Sequence, residues 1–340
     1  MSIGTVDRVL HNRGEVAEPT RMKILRIIEE LDYQPNILAS TLASKKSALF
    51  ATLLPHPPDE DGYWNKPLLG INKRVFELRQ YGVEVRPFSF SQFDPKDFDS
   101  AARKIIELKP GGVILAPFFL KEAKTFINQL KGYAIPFVFI DSEIKNAGQL
   151  SYIGQDSYQS GFLSGKLLDL LIQENATILV IHFAKEMDNQ NHLILREKGF
   201  YDWYRQKNSN IPKIYTVEIS KPDTEDWHSQ ILGEINKNNI TGIFVTNSKA
   251  YLMASMLKKY GLTNISVIGH DFLNENVTFL NEGIIRFLIC QHPEEQGYHA
   301  LNILFRSVVQ KRVVDKENYT SIDIVTKENA AYYKDFKQKV

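Results

Sequence analysis

From Ala48 onward the chain alternates short, almost unbroken apolar runs with stretches of helical periodicity, and few folds satisfy that alternation. The runs are ALFATLL (48–54), VEVRPF (83–88), GVILA (112–116), PFVFI (136–140), TILVIH (177–182), IYTVEI (214–219), GIFVT (242–246), SVIG (266–269), IRFLIC (285–290) and SIDIV (321–325). A strand that is apolar on both faces must be covered on both, so these runs predict parallel sheets with helices packed on either side. The intervening segments supply such helices: Leu68, Ile71, Val75 and Leu78, for instance, share one helical face. Ten strands are too many for one comfortable sheet, and the fold class that results is α/β, with two doubly wound parallel-sheet lobes. No stretch between them has the composition of a tether, so several short crossovers are expected. One is placed near Gln155–Asp156, where Asp156 or Ser157 can cap a long helix ending near Gln173.

Residues 1–46 differ in texture. Val6, Val9 and Leu10 fall at helical spacing, and Gly14 closes that segment. Pro19 suits the first turn of a second helix, in which Ile24, Ile28 and Leu31 keep the rhythm. Pro35–Asn36 breaks it, and a short third segment, ILASTLAS, precedes Lys45 and Lys46. This is too little apolar material to bury a core alone, so it reads as a small all-α appendage.

Charge and cysteine usage narrow the function classes. Lys+Arg total 41 against 40 Asp+Glu, a net charge of +1, which argues against a protein basic throughout and leaves room for a small DNA-reading module. The single cysteine, Cys290, excludes a disulfide framework and a cysteine-based zinc site and reads as a small buried hydrophobe. Asp7 and Arg8 interrupt any signal-peptide core, and no run approaches the roughly 18 apolar residues of a membrane span, so a cytoplasmic protein without membrane attachment is expected.

Catalytic motifs fail on spacing. Gly161–Phe162–Leu163–Ser164–Gly165 sets its serine one place late for G-x-S-x-G, and the continuation to Lys166 is one residue short of a phosphate loop. Those glycines read instead as letting a helix pack close to a sheet. The histidines show no compact metal-ligand spacing. Neither enzymatic activity nor a cofactor or metal is expected.

Three blocks in residues 1–46 carry a family resemblance: Thr5–Val6–Asp7–Arg8–Val9, Leu31–Asp32–Tyr33–Gln34–Pro35–Asn36 and Ala39–Ser40–Thr41–Leu42–Ala43. In order and spacing they resemble the DNA-binding headpiece of the LacI/GalR family of bacterial repressors, with its recognition helix, its L-x-Y-x-P-N helix end and its A-x-x-L-A hinge helix. The family begins with a further helix and this chain starts at the turn, so the resemblance implies an incomplete helix-turn-helix headpiece, for which a start codon lying upstream is the expected reason. It also implies that Ile3 meets a thymine methyl, Asp7 a cytosine amino group and Arg8 a guanine or a phosphate. For Asp7, a favourable charge at a helix N-terminus is an equal alternative. Arg13 and Arg21 are implied phosphate contacts; Lys45 and Lys46 serve as such or as solvated linker. Leu42 matches a minor-groove wedge, beside which Ala39 permits close approach to the DNA backbone.

The family joins this headpiece to a two-lobed, periplasmic-binding-protein-like type I domain. The implied parts are 1–46 as partial headpiece and hinge helix, 47–155 with 291–312 as the N-terminal effector lobe, and 156–290 with 313–340 as the C-terminal effector lobe. In the lobes the chain is similar to sugar-binding members, whose clefts lie at strand C-terminal ends. Asp61, Tyr63 and Trp64 follow the first strand, where the family sets aromatics against the sugar. Asp141 ends PFVFI, Arg196 stands in REKGF, Asn247 follows GIFVT, Asp271 follows VIGH, and Gln291 closes IRFLIC. Carboxylates accept from sugar hydroxyls while Arg, Asn and Gln donate to them, so such a set reads hydroxyl geometry. Ser142 and Ser248 depart from ribose-type relatives, and Trp227 is the candidate stacking residue of the second lobe. The implied function is a repressor-type transcriptional regulator, a homodimer on palindromic operator DNA, controlled by a sugar-like effector. The alternative is a sugar-binding or receptor module without DNA-binding activity.

Overall fold

The computed structural model describes residues 2–10, 14, 16–30, 48–57, 62–184, 190–207, 211–222, 224 and 226–333. The chain divides into two units, one comprising Met1–Ser47 with Gln80–Gly82 and the other Ala48–Arg79 with Val83–Val340.

In the smaller unit the expected helices form as α1 (Ile3–Leu10) and α2 (Glu18–Glu30). The Ser2 hydroxyl accepts from the Thr5 N–H at 3.2 Å, satisfying one of the orphan donors at the start of α1. Pro19 lies in the first turn of α2, where its missing N–H leaves no bond unmade. Val9 and Ile24 are buried, while Met22, Leu25 and Ile27 are exposed among the described residues. The expected hinge segment, Ala39–Ala43, lies outside the described residues.

The larger unit holds two six-stranded sheets. The first is built from β1 (Ala48–Pro55), β2 (Val83–Phe90), β3 (Val113–Leu115), β4 (Phe137–Ile140), β5 (Ser151–Gly154) and β11 (Glu317–Tyr319), in the order β11-β5-β4-β3-β1-β2 with every pairing parallel. The second is built from β6 (Thr177–His182), β7 (Lys213–Glu218), β8 (Ile240–Val245), β9 (Ser266–His270), β10 (Ile285–Cys290) and β12 (Asp323–Val325), in the order β12-β10-β9-β8-β6-β7, antiparallel only at β10–β12. Helices α3 (Asn65–Leu78), α4 (Pro95–Leu108), α5 (Leu120–Gly132) and α11 (Pro293–Leu304) belong to the first lobe. Helices α6 (Ser157–Asp169), α7 (Asn191–Arg205), α8 (Asp226–Asn238), α9 (Ala250–Lys259) and α10 (Asn274–Asn281) belong to the second. The central strands of both sheets are largely buried, as their apolar runs foretold, but β2 and β7, read as covered on both faces, are edge strands exposed or half-buried along most of their length; β5 and β11, short and partly polar, were not foretold.

The chain crosses between lobes after β5, after β10 and between β11 and β12. Gln155 ties the three passages together: its buried side-chain amide donates to the Cys290 carbonyl at 3.0 Å and to the Ser321 carbonyl at 3.4 Å. The segment 313–340, expected wholly with the second lobe, gives Glu317–Tyr319 to the first sheet and Asp323–Val325 to the second. Tyr319 packs edge-on against Tyr152 of β5, at 5.9 Å between centroids, a side-chain pairing that seats β11 there. Asp156 caps α6 as expected, its carboxylate accepting from the Gln159 N–H at 3.0 Å, although the helix ends at Asp169 rather than near Gln173.

The glycines of α6 serve a different contact from the one expected. A Cβ on Gly161 would lie 1.9 Å from the Arg196 carbonyl oxygen, and one on Gly199 would lie 2.0 Å from the Tyr158 carbonyl oxygen. They bring α6 against α7, helix on helix rather than helix on sheet. The first lobe repeats the device, because Gly70 of α3 and Gly297 of α11 each meet the other helix's backbone.

Candidate functional site

The last residue of β4 is Ile140 and that of β9 is His270; the residue following each, Asp141 and Asp271, has left-handed backbone with φ of 65° and 69°. Aspartate tolerates this region better than most side chains do, and the sharp turn carries each carboxylate off its strand end. Both line one cavity between the lobes, together with Tyr63, Trp64, Arg196, Asn247 and Gln291. Seven of the eight expected residues therefore converge on one place, and Asp61 lies outside the described residues.

The hydrogen bonds among these groups are directional. The Tyr63 hydroxyl donates to Asp141 Oδ1 at 2.7 Å, and Gln291 Nε2 donates to Asp271 Oδ1 at 3.0 Å. Gln296, buried in α11, secures both sides: its Oε1 accepts from the Asp141 N–H at 3.0 Å and its Nε2 donates to the Gln291 carbonyl at 2.9 Å. Arg196 donates through Nη1 to the Thr246 carbonyl at 2.9 Å, which anchors the guanidinium at the end of β8. Asn247 donates to the Phe183 carbonyl at 3.0 Å. Arg196 Nε, Gln291 Oε1 and His192 Nδ1 are buried with no hydrogen-bond partner among the described residues, and a polar ligand can satisfy such atoms.

Burial dominates the electrostatics. It pushes the Asp271 carboxyl up to about 6, against the opposing influence of Arg196 and of the Gln291 bond. Asp141 is raised by burial as well and held back by Arg196 and Tyr63. Burial, then the nearby Asp141 charge, keeps the Tyr63 hydroxyl protonated far above its ordinary range, so it remains a donor. Burial also brings His192 down to about 3, with Arg196 as the second cause, and the ring is neutral at neutral pH.

Aromatic rings wall the cavity. Trp64 stands edge-on to Tyr63, with centroids 5.0 Å apart, and to Phe118 at 6.5 Å. The aromatic that the second lobe supplies is Phe183, not Trp227, which lies behind it with the rings edge-on at 5.3 Å. Gln92, Phe93, Phe118, Phe183, Gln190 and His192 also line the cavity and were missed in the sequence. For Phe118 and Phe183 a signal existed, since each stands just beyond an apolar run whose C-terminal end faces the cleft.

Of the residues expected to meet DNA, Arg8 of α1 and Arg21 of α2 are exposed. Ile3 and Asp7 lie on α1, with side chains outside the described set, as are Arg13, Ala39 and Leu42 altogether. No described helix is long and apolar enough to cross a membrane, and the described residues contain no group of three or more His, Cys, Asp or Glu able to hold a metal ion.

Comparison with known proteins agrees with both units. Residues 50–312 match the family model of the periplasmic binding protein domain, so the larger unit is a domain of that class. Residues 1–36 match the model of bacterial regulatory proteins of the lacI family. With that headpiece joined to that domain, the chain belongs to the LacI family of transcriptional regulators.

Among curated relatives, the HTH-type transcriptional regulator DegA of Bacillus subtilis is 25% identical over 276 residues, 80% of this chain and 78% of that one. The catabolite control protein A of Streptococcus mutans is 43% identical over 56 residues, 16% of this chain and 17% of its own. Among solved structures, a chain from Bacteroides fragilis assigned to the LacI regulators superposes with a TM-score of 0.79 at 29% identity, covering 85% of this chain and all of that one, 100%. The glucose-galactose binding protein GanP of Geobacillus stearothermophilus shares the fold, with a TM-score of 0.74 at 24% identity over 84% of this chain and 99% of its own. These relatives are regulators and sugar-binding proteins rather than enzymes. The lacI-family match of the headpiece disfavours a binding module without DNA function.

Proposed function

We propose that this LacI-family regulator represses transcription in the cytoplasm, as a homodimer on a palindromic operator, and that a carbohydrate bound between its lobes controls DNA affinity. The observation that carries the effector assignment is the set of buried polar groups formed by Asp141, Asp271 and Gln291 just past strand ends and Arg196 of α7, walled by Tyr63, Trp64, Phe118 and Phe183. Carboxylates accept from ring hydroxyls, the guanidinium and the amide donate, and aromatic faces cover the apolar C–H face of the ring. A ligand that bridges groups on both lobes favours the closed arrangement, and differential affinity for closed and open lobes is what couples the cleft to the headpiece. Ile3, Asp7 and Arg8 would read base edges, Arg13 and Arg21 would meet phosphates, and Leu42 beside Ala39 would wedge the minor groove.

The test is fluorescence anisotropy on DNA from upstream of the protein's own gene, with and without a panel of sugars. A sugar is expected to change DNA affinity in the wild type. Arg196→Met is expected to bind DNA unchanged and to lose the sugar response, whereas Leu42→Ala is expected to weaken DNA binding and to keep sugar binding. An Arg196→Met protein that responds to sugar like the wild type would sink the cleft assignment. Unaltered DNA affinity in Leu42→Ala would sink the wedge.

A further inference from the structure

The cavity holding the strand-end carboxylates measures about 50 Å³, too small for two sugar rings. Past Gln92, Phe93 and Lys249, which line both spaces, it continues into a second chamber of about 850 Å³ between the same two lobes. At the junction the Lys249 ammonium of the second lobe lies 4.6 Å from the centre of the Phe93 ring of the first, a cation–π contact across the cleft. The outer chamber is lined by His56 and Ser91 on one side and by Trp227, Tyr251 and Ser255 on the other.

The two spaces differ in chemistry. The inner one has two buried carboxylates and a buried guanidinium; the outer one has hydroxyls and aromatic faces with His56, His228 and Lys249, and its one carboxylate among the described residues, Asp97, is exposed and accepts from the Ser91 N–H at 2.8 Å. Trp227 is buried, yet its Nε1–H has no acceptor among the described residues. A buried indole N–H ordinarily finds one. Hydroxyls and ring faces on both sides of the chamber suit the hydroxyls and the C–H face of a pyranose.

We propose that the outer chamber is a second sugar subsite and that the effector is an oligosaccharide of at least two rings. One ring sits against Asp141, Arg196 and Asp271. Its neighbour passes the Phe93–Lys249 pair and offers a hydroxyl or ring oxygen to the Trp227 N–H. The proposal rests on the reading of the inner cavity as a sugar site.

The test is calorimetric titration of the full chain with glucose and galactose against maltose, cellobiose, lactose and sucrose. Two variants accompany the wild type: Ser255→Trp, at an exposed position of α9, fills the outer chamber, and Trp227→Phe keeps the ring while removing the N–H. At least one disaccharide is expected to bind about tenfold or more tightly than its constituent monosaccharides. Ser255→Trp is expected to abolish that gain and to leave monosaccharide binding unchanged, and Trp227→Phe to lose part of it. Equal affinities for one ring and two, or a disaccharide indifferent to Ser255→Trp, would overturn the second subsite while the inner site stands. Absence of binding by every sugar of either length would overturn the inner-site reading together with it.

Discussion

Each buried polar side chain in the cleft is only partly satisfied by its neighbours, and the remainder is available to a ligand. Asp141 spends one oxygen on Tyr63, Asp271 spends one on Gln291, and Arg196 spends one nitrogen on the Thr246 carbonyl. Asp141→Asn keeps an acceptor for Tyr63 but removes the charge, and hydrogen bonds to a charged group contribute about 1.5–3 kcal/mol. Sugar affinity measured by calorimetry is therefore expected to fall roughly 10- to 100-fold, with the melting temperature of the unliganded protein little changed. Asp271 sets a pH dependence of definite sign. Its carboxyl titrates at about 6, and sugar hydroxyls donate to the ionised form, so protonation competes with the ligand. Affinity is expected to hold above that pH and to weaken as pH falls through about 6; Asp271→Asn should flatten the profile. A profile with the same slope in that variant would remove Asp271 from the binding step. The strand-end residues were legible because the C-terminal ends of parallel strands are where such clefts form. Gln296 was not: it sits mid-helix in α11 and reaches Asp141 only because the chain returns to the first lobe after β10.

Two helix pairs, α3 with α11 and α6 with α7, come close enough that a methyl group does not fit between them. The second pair matters for the site, since the residue that Gly161 touches is Arg196 itself. Gly161→Ala would set a Cβ 1.9 Å from the Arg196 carbonyl oxygen, a backbone atom that no rotamer change can move. Either α7 shifts or the pair separates, and overpacking of this kind costs about 1–3 kcal/mol or more. The variant is expected to lower the melting temperature by several degrees and to weaken sugar binding without touching a ligand contact. Gly233→Ala is the control. It lies inside α8 with nothing within 4 Å of the added Cβ, and relief of chain entropy should stabilise it by about 0.5–1 kcal/mol. If both variants behave alike in a thermal melt, close helix approach is not what positions Arg196. The glycine pattern was visible in the sequence, but its partner was misassigned, because spacing shows that something comes close and not what it is.

Across the larger unit, three chain passages and a few polar contacts join the lobes. Lys66 of α3 donates to the Phe272 carbonyl at 2.8 Å, and Asn191 of α7 donates to the Glu143 carbonyl at 3.0 Å, each from one lobe to the other. With Gln155 joining the passages, these bonds restrain opening. Removing both donors with Lys66→Met and Asn191→Ala is expected to raise the radius of gyration of the sugar-free protein in solution scattering, and a bound sugar should bring it back. An unchanged radius in the double variant would show that the passages alone set the closure.

The apolar runs by themselves determined the class of fold, the number of lobes and most strand positions, since a strand buried on both faces has few ways to be covered. The headpiece blocks and the strand-end polar residues likewise marked where the two proposed functions lie along the chain. What only the tertiary structure decided is which side chains finish the site. Phe183 displaces Trp227 as the second-lobe aromatic because Trp227 is packed behind it, and β11 joins the first sheet because Tyr319 meets Tyr152 there. Gln296 supports the cleft from behind, through Asp141 and Gln291, on a helix whose own periodicity names it merely as buried. Local pattern records how a residue is covered; the identity of what covers it follows from the path of the chain between lobes, and that path is a property of the whole fold.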